Sequence, residues 1–283
     1  MGQGEVLEAV AVPDIQADEA GHHGGPRGPA MISRDDVEKL RRLHAQGPDV
    51  LSLYLPVPLE ADGVLTLPAR ARDLIVAARA VGPDAVSTSQ VGDTERDAVL
   101  DAVRGHGRHW LGSTVAIFAS RQLGLFEVHP LPCALPERSV LATRPHVRPL
   151  LAALQRCQAP GAERWTARRE RELTKELTDA APGGLTAAGL PECLGAVNAE
   201  AVALLLVPDE GMVPGFECGR CGALSLTGDD CPDWGTAARV VPDLLEEMAR
   251  RCLDGGGQVV SVSDAPVSAA ARLRFPVQEG ADR

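Results

Sequence analysis

Positive charge is in short supply in this 283-residue chain. Lys and Arg together number 28 against 39 Asp and Glu, for a net charge of −11. That balance argues against broad, sequence-blind binding to nucleic acid, and no DNA partner is expected, although a local basic face is still compatible with it. No apolar run is long enough to span a bilayer and no signal peptide is visible, so no membrane partner is expected either. The phosphate-cradling loop, the dinucleotide fingerprint and the Gly-x-Ser-x-Gly nucleophile elbow are all missing. No set of nucleophile, base and oxyanion donors emerges, and the expectation is a protein that is not an enzyme. Lys39, Lys175 and Tyr54 are the whole complement of their types, which together with abundant Ala and Pro points to a high-GC genome.

Seven cysteines, an odd number, fit a reducing cytoplasm better than a disulfide framework. Cys133, Cys157, Cys193 and Cys252 lie in apolar contexts and read as buried thiols. The other three form the most informative motif. Cys218-Gly-Arg-Cys221 is followed by Cys231-Pro-Asp-Trp234, a zinc-ribbon pattern whose fourth cysteine is replaced by tryptophan. Two Cys-x2-Cys knuckles close a tetrahedral zinc site because each turn presents two thiolates. With one thiolate missing, the segment either recruits an oxygen donor, Asp230 and Asp233 being nearest, or is a metal-free loop with Trp234 in the place of the ion. The candidate metal set is Cys218, Cys221, Cys231 and Asp233, and zinc is the one cofactor it suggests.

Two small domains suit this length better than one large core. Residues 1–30 lack a periodic apolar pattern and read as a disordered tail in which His22 and His23 are solvated. Met31, a candidate start codon, opens a helix that Ser33 caps and whose first turn carries Asp35 and Asp36. Residues 31–156 then alternate: a strand at DVLSLYLPV, helices over 68–81 and 93–103, strands at STVAIFAS, LGLFEVHPLP and RSVLATR, and a helix over 145–155. The pattern predicts an α+β or α/β domain with a mixed sheet. Residues 157–184 read as a connector around a charged helix in which Arg168 and Glu172 can pair. Its Arg168, Arg169 and Arg171 are candidate contacts for RNA or an acidic partner, the alternative being a solvated mixed-charge face. Residues 185–276 form a second, αβα-layered domain: a helix-prone LTAAGLPECLGAV, the apolar strand AVALLLV, the degenerate ribbon at 216–235, the helix PDLLEEMARRCLDGGG, and strands at QVVSVS and AARLRFPV. Residues 277–283 are a short tail. His106 and His109 have ligand-like spacing but sit among glycines, so a surface turn is the expectation; His129 and His146 read as packing or hydrogen-bonding residues.

Several blocks, in order, resemble the bacterial relatives of the archaeo-eukaryotic peptide-chain release factors, the Balon-related group. They are VLSLYLPVP, ERDAVLDAV, the long block from VAIFASRQLGLFEVHPLP to RPHVRPLLAAL, GLPECLGAVNAEAVALLLVP, GFECGRCGALSLTGDDCPDWG and GGGQVVSVSDAPVSAAARLRF. The resemblance covers most of residues 48–275. It implies a release-factor-like N-terminal domain and an L30e/L7Ae-like C-terminal domain with a ribbon loop after its first strand. The middle domain that carries the catalytic Gly-Gly-Gln loop of true release factors has only about thirty residues of space here, too few for an α/β domain. Gly256-Gly257-Gln258 lies at a helix-to-strand junction and reads as structural. The stop-codon motif Asn-Ile-Lys-Ser is also missing, so peptidyl-tRNA hydrolysis is not expected.

The resemblance implies a cytoplasmic translation-associated factor whose partners are the ribosome and, through the C-terminal domain, a GTPase such as elongation factor Tu. Hibernation, rescue or stress protection would each fit. Arg144, His146 and Arg148 form a basic cluster at a helix start and are the candidate rRNA-phosphate contacts, with a merely solvent-exposed cluster as the alternative. The competing expectation is a degenerate family member that acts off the ribosome as a protein-interaction or regulatory module.

Overall fold

The computed structural model describes residues 32–78, 91–106, 110–156, 162–179, 184–231, 234–263 and 269–277. The first half contains, in order, α1 (Arg34–Arg42), β1 (Val50–Pro56), the single turn α2 (Ala61–Val64), α3 (Leu67–Ala77), α4 (Asp93–His106), β2 (Thr114–Ser120), β3 (Leu125–Leu131), β4 (Arg138–Ala142) and α5 (Arg148–Arg156). The strands form one sheet in the order β3-β2-β1-β4. Every pairing in it is antiparallel, where the sequence suggested a mixed sheet.

Alternation along the central strands sorts the core into two layers. Leu51, Leu53, Leu55 and Ile117 face α3 and α4, meeting Leu67, Ile75, Val99 and Val103. Tyr54 and Phe118 point the other way and meet Val37, Leu40 and Leu150 of α1 and α5. Because both faces are covered, β1 and β2 are buried nearly from end to end. The predicted cap of α1 is present as a reciprocal box: Asp36 N–H donates to Ser33 Oγ at 3.1 Å, and Ser33 N–H donates to Asp36 Oδ2 at 2.9 Å.

The second half runs α6 (Ala162–Thr178), β5 (Thr186–Ala188), α7 (Leu190–Asn198), β6 (Val202–Pro208), β7 (Gly215–Cys218), β8 (Leu224–Ser225), β9 (Ala238–Val241), α8 (Leu244–Asp254), β10 (Gln258–Val262) and β11 (Ala270–Leu273). Its main sheet has the order β10-β6-β11-β5 and is the mixed one, with β10 and β6 parallel. On one face α7 and α8 bury Cys193, Val197, Leu244 and Met248 against Leu205 and Val207. On the other, Leu173 and Leu177 of α6 pack on Leu204, Leu206 and Val262. The result is an αβα stack with β6 apolar on both sides, as its unbroken run of aliphatics requires.

Two expectations change here. The charged helix assigned to a connector is the outer layer of the stack: its apolar Leu173 and Leu177 cover a sheet face that would otherwise meet water, and only its other side is solvated. The LTAA stretch is strand β5 and not the start of a helix, because Thr186–Ala188 pair with Ala270–Arg272, and α7 begins only after them.

Candidate functional site

The ribbon is a small sheet in the order β8-β7-β9, inserted between β6 and α8. Cys218 ends β7 and Cys221 follows on the turn that leads to β8; Cys218 N–H donates to Ala223 O at 2.8 Å and Gly222 N–H to Cys218 O at 2.9 Å. Cys231 heads a second turn of the same kind, closed by Gly235 N–H to Cys231 O at 2.7 Å, with Gly235 at φ +56°, where a side chain would be strained. Folding these two turns against each other brings the three sulfurs within 4.8 Å of one another. Cys221 and Cys231 Sγ are 3.6 Å apart. Two sulfurs on one zinc, each at about 2.3 Å, stand roughly 3.8 Å apart in a tetrahedron, so the spacing fits a shared ion.

The electrostatics point the same way. Backbone N–H groups of Cys221 and Arg220 aim at Cys218 Sγ, the Arg220 N–H at 3.4 Å, and bring its thiol down to about 7. Such donors favour the thiolate, which is the ligand form. By contrast, burial pushes the thiols of Cys193 and Cys252 up to about 12 and about 11, as inert core residues. At the position of the missing fourth cysteine, Trp234 does not fill the ion's place. Its ring is half exposed, and the Arg220 guanidinium lies over it at 3.8 Å. Asp230 is exposed, and Asp233 lies outside the described residues.

The proposed RNA cluster is placed quite differently. Arg148 is fully buried and His146 is 2% exposed, so neither can reach a phosphate on the protein's surface. They hold the two halves together. Asp243, the N-cap of α8, accepts from Arg148 Nη2 at 2.8 Å and sits 2.8 Å from His146 Nε2. Arg148 also donates to Gly211 O at 2.6 Å and to Pro208 O. Glu246 caps α5 from outside, accepting the Val147 and Arg148 N–H groups at 2.9 and 2.8 Å. Tyr54 donates to His146 O at 2.5 Å, and Arg138 Nη2 donates to Asp209 O at 3.1 Å. Burial alone would raise the Asp243 carboxyl, but the His146 hydrogen bond and the charge of Arg148 outweigh it and hold the group well below the usual range. Only Arg144 of the three lies partly open, beside a cleft between the halves. The sequence missed Asp243 and Glu246 as partners, although the acids at the start of α8 were visible.

Gly256-Gly257-Gln258 is built into the fold. Gly257 carries the turn from α8 into β10, and a Cβ there would lie 2.6 Å from Cys252 Sγ and 2.9 Å from the carbonyl oxygens of Cys252 and Val202. Gln258 pairs with Leu204 in the sheet. His106 closes α4 and His109 lies outside the described residues; His129 Nε2 is 2.9 Å from Glu127 Oε2. The expected Arg168–Glu172 pair is present at 2.9 Å, and both side chains are exposed. Among the described residues no helix is long and apolar enough to cross a membrane.

Comparison with known proteins finds no protein-family model and no curated sequence that matches. Among solved structures, the C-terminal domain of a peptide chain release factor from Methanosarcina mazei is 19% identical, with a TM-score of 0.29, over 46% of this chain and 94% of that one. An archaeal translation termination factor is 11% identical with a TM-score of 0.27, over 87% and 99%. A third, described only as an archaeal protein, is 12% identical with a TM-score of 0.30, over 88% and 99%. Similarity at this level carries no functional argument.

Proposed function

We propose that this chain is a non-catalytic, cytoplasmic translation-associated factor that binds the ribosome in hibernation, rescue or stress protection. The observation that carries the reading is one of placement. The ordered sequence blocks of the release-factor relatives fall on successive elements: β1, α4, β2 through α5, α7 with β6, the ribbon, and β10 with β11. The ribbon sheet follows β6, the AVALLLV strand; the resemblance implied a ribbon after the domain's first strand, and the short β5 precedes β6 here. The αβα half is the surface assigned to a translation GTPase such as elongation factor Tu. The Gly-Gly-Gln turn is part of the α8–β10 junction, with Gln258 paired to Leu204 in the sheet, which supports the reading that no peptidyl-tRNA is hydrolysed.

The ribbon's role in this reading is structural. Cys218, Cys221 and Cys231 would hold zinc, with Asp233 assigned from the sequence as the fourth ligand. Bound there, zinc would tie β7, β8 and the second turn into one rigid unit, as closed structural sites do.

A second reading, an interaction module that works off the ribosome, is favoured by one observation. His146 and Arg148 are spent inside the molecule, which thins the basic face that rRNA requires. Co-sedimentation of the full chain with 70S ribosomes, with and without elongation factor Tu·GDP and across a salt series, separates the two. Pelleting that weakens with salt and strengthens with the GTPase is expected. No pelleting at low salt in either condition would sink the ribosomal reading and leave the interaction module.

A further inference from the structure

The three ribbon cysteines differ sharply in exposure. Cys218 and Cys231 are 4% and 6% exposed, whereas Cys221 stands open to solvent. The Cys221 Sγ is nonetheless 3.6 Å from that of Cys231, which arrives from the opposite turn. A disulfide holds its sulfurs about 2.05 Å apart, so roughly 1.5 Å of movement, shared between two side chains, joins them. Cys218 is placed differently. Its Sγ accepts the Arg220 N–H at 3.4 Å, and its own N–H and carbonyl oxygen close the turn on which Cys221 sits.

Side chains hold the two turns against each other. Arg251 Nη1 of α8 donates to Gly222 O at 2.7 Å and anchors the first turn. Arg220, inside that turn, lays its guanidinium 3.8 Å from the centre of the Trp234 ring, which belongs to the second. The residue that stands in place of a fourth cysteine therefore clasps one turn to the other. Such a clasp works through a cation over an aromatic face and needs no ion, so side chains as well as any metal bring the sulfur pair together.

We propose that Cys221 is a site of reversible thiol–disulfide exchange with low-molecular-weight disulfides, and that Cys231 resolves it by forming an internal Cys221–Cys231 bond. Exposure selects Cys221 for the first step, because an oxidant must reach the sulfur that attacks it. The Cys221 thiolate attacks one sulfur of the small disulfide, forming a mixed disulfide and expelling one thiolate. Cys231, as its thiolate, then attacks the Cys221 sulfur, forming the internal bond and expelling the second. Two protein thiols are oxidised, the small disulfide is reduced to two thiols, and the protons lost by the protein end on those two. A disulfide on an exposed turn belongs to the readily reduced kind, so the exchange runs in both directions. The proposal uses two of the thiols assigned to zinc but requires neither the ion nor the ribosomal reading. Bound zinc and the disulfide exclude each other, since both claim the same sulfurs.

The test treats the full chain, chelator-stripped and zinc-loaded, with oxidised glutathione, and maps the products by peptide mass spectrometry after the remaining thiols are alkylated. Wild type is expected to form the Cys221–Cys231 bond while Cys193 and Cys252 stay as thiols, and a reducing agent is expected to restore the pair. Cys231→Ser is expected to stop at glutathione-bound Cys221. Trp234→Ala is expected to close the internal bond about two- to fivefold more slowly as the clasp is lost, and an unchanged rate would overturn the clasp. No reaction of folded wild type, a Cys218–Cys221 bond instead, or a mixed disulfide that never closes would overturn the exchange site; all three are read on wild type and depend on no variant folding. Release of zinc on oxidation supports both the exchange and the zinc reading. An internal disulfide in a chain that takes up no zinc supports the exchange and counts against the zinc reading alone.

Discussion

Replacing Asp243 should loosen the joint between the halves more than any surface change. Its carboxylate is 2.8 Å from both Arg148 Nη2 and His146 Nε2, and it caps α8 by accepting Leu245 N–H at 3.1 Å. Arg148 is fully buried, so Asp243→Asn leaves a guanidinium in the interior with carbonyl oxygens but no carboxylate bonded to it. Breaking a buried pair from one side costs about 3–5 kcal/mol. With a urea m-value of about 2–3 kcal/mol/M, the unfolding midpoint should fall by about 1–2.5 M. Asp243→Ser separates the two roles, because serine keeps a good N-cap and the cap itself is worth only about 1 kcal/mol.

The pH dependence gives a second, independent reading. The folded Asp243 carboxyl is held below its ordinary 3.8. Its stabilisation is therefore complete above the unfolded value and is lost as pH falls through and below it. The stability gap between wild type and Asp243→Asn should be constant near neutrality and close below about pH 4. Glu247 acts in the opposite sense: burial shifts it up, so the cost of ionising it disappears as pH falls. That contribution is common to both proteins and cancels in the difference. A gap under about 1 kcal/mol at neutral pH, or one that does not change with acid, would refute the claim that charge holds the halves together.

Other consequences are more local. The full chain should bind one zinc, Cys221→Ser should weaken it, and Trp234→Cys should tighten it by restoring the fourth thiolate; metal competition with a chromogenic chelator reads all three, and no tightening in Trp234→Cys would mean that the second turn is not a ligand knuckle. Gly257→Ala should destabilise by about 1–3 kcal/mol through overpacking against Cys252 and two carbonyls, whereas the exposed Gln258→Ala should change stability by less than about 0.5 kcal/mol; thermal denaturation checks both. Arg144→Gln should raise the His44 pKa, because it removes a positive charge from the field that depresses it, and an NMR titration of the His44 ring shows the direction.

Elements with one strong local signal were legible in the sequence. The Ser33 cap, the buried β6 and the glycines after α8 each follow from a few neighbouring residues, and the structure places them where the pattern does. The knuckles were legible too, since cysteine spacing survives the loss of the fourth ligand. What failed was long-range. Arg144, His146 and Arg148 look like one basic cluster because they are close in sequence. Two of them face Asp243, almost a hundred residues away, and only the third faces the cleft. Likewise β5 is three residues long, and its strand character comes from β11 and from nothing in its own composition.

The joint bears on how the two halves can move. Two domains on a residual linker would move independently, which is the default for small polar interfaces. Here α5 belongs to both halves. Its Leu150 and Ala153 lie in the core under Tyr54 and Phe118, while Gln155 at its end donates to Val259 O at 3.0 Å and accepts Ser261 N–H at 3.0 Å in β10. Then α6 covers the outer face of the second sheet, where its Leu173 and Leu177 are needed by Leu204 and Leu206. Among the described residues, the ends of α5 and α6 are therefore used in packing. A partner that grips the αβα half fixes the direction of the antiparallel half as well. Cutting out α6 would expose an aliphatic sheet face and unfold the second half, which loss of the cooperative transition in far-UV circular dichroism would show.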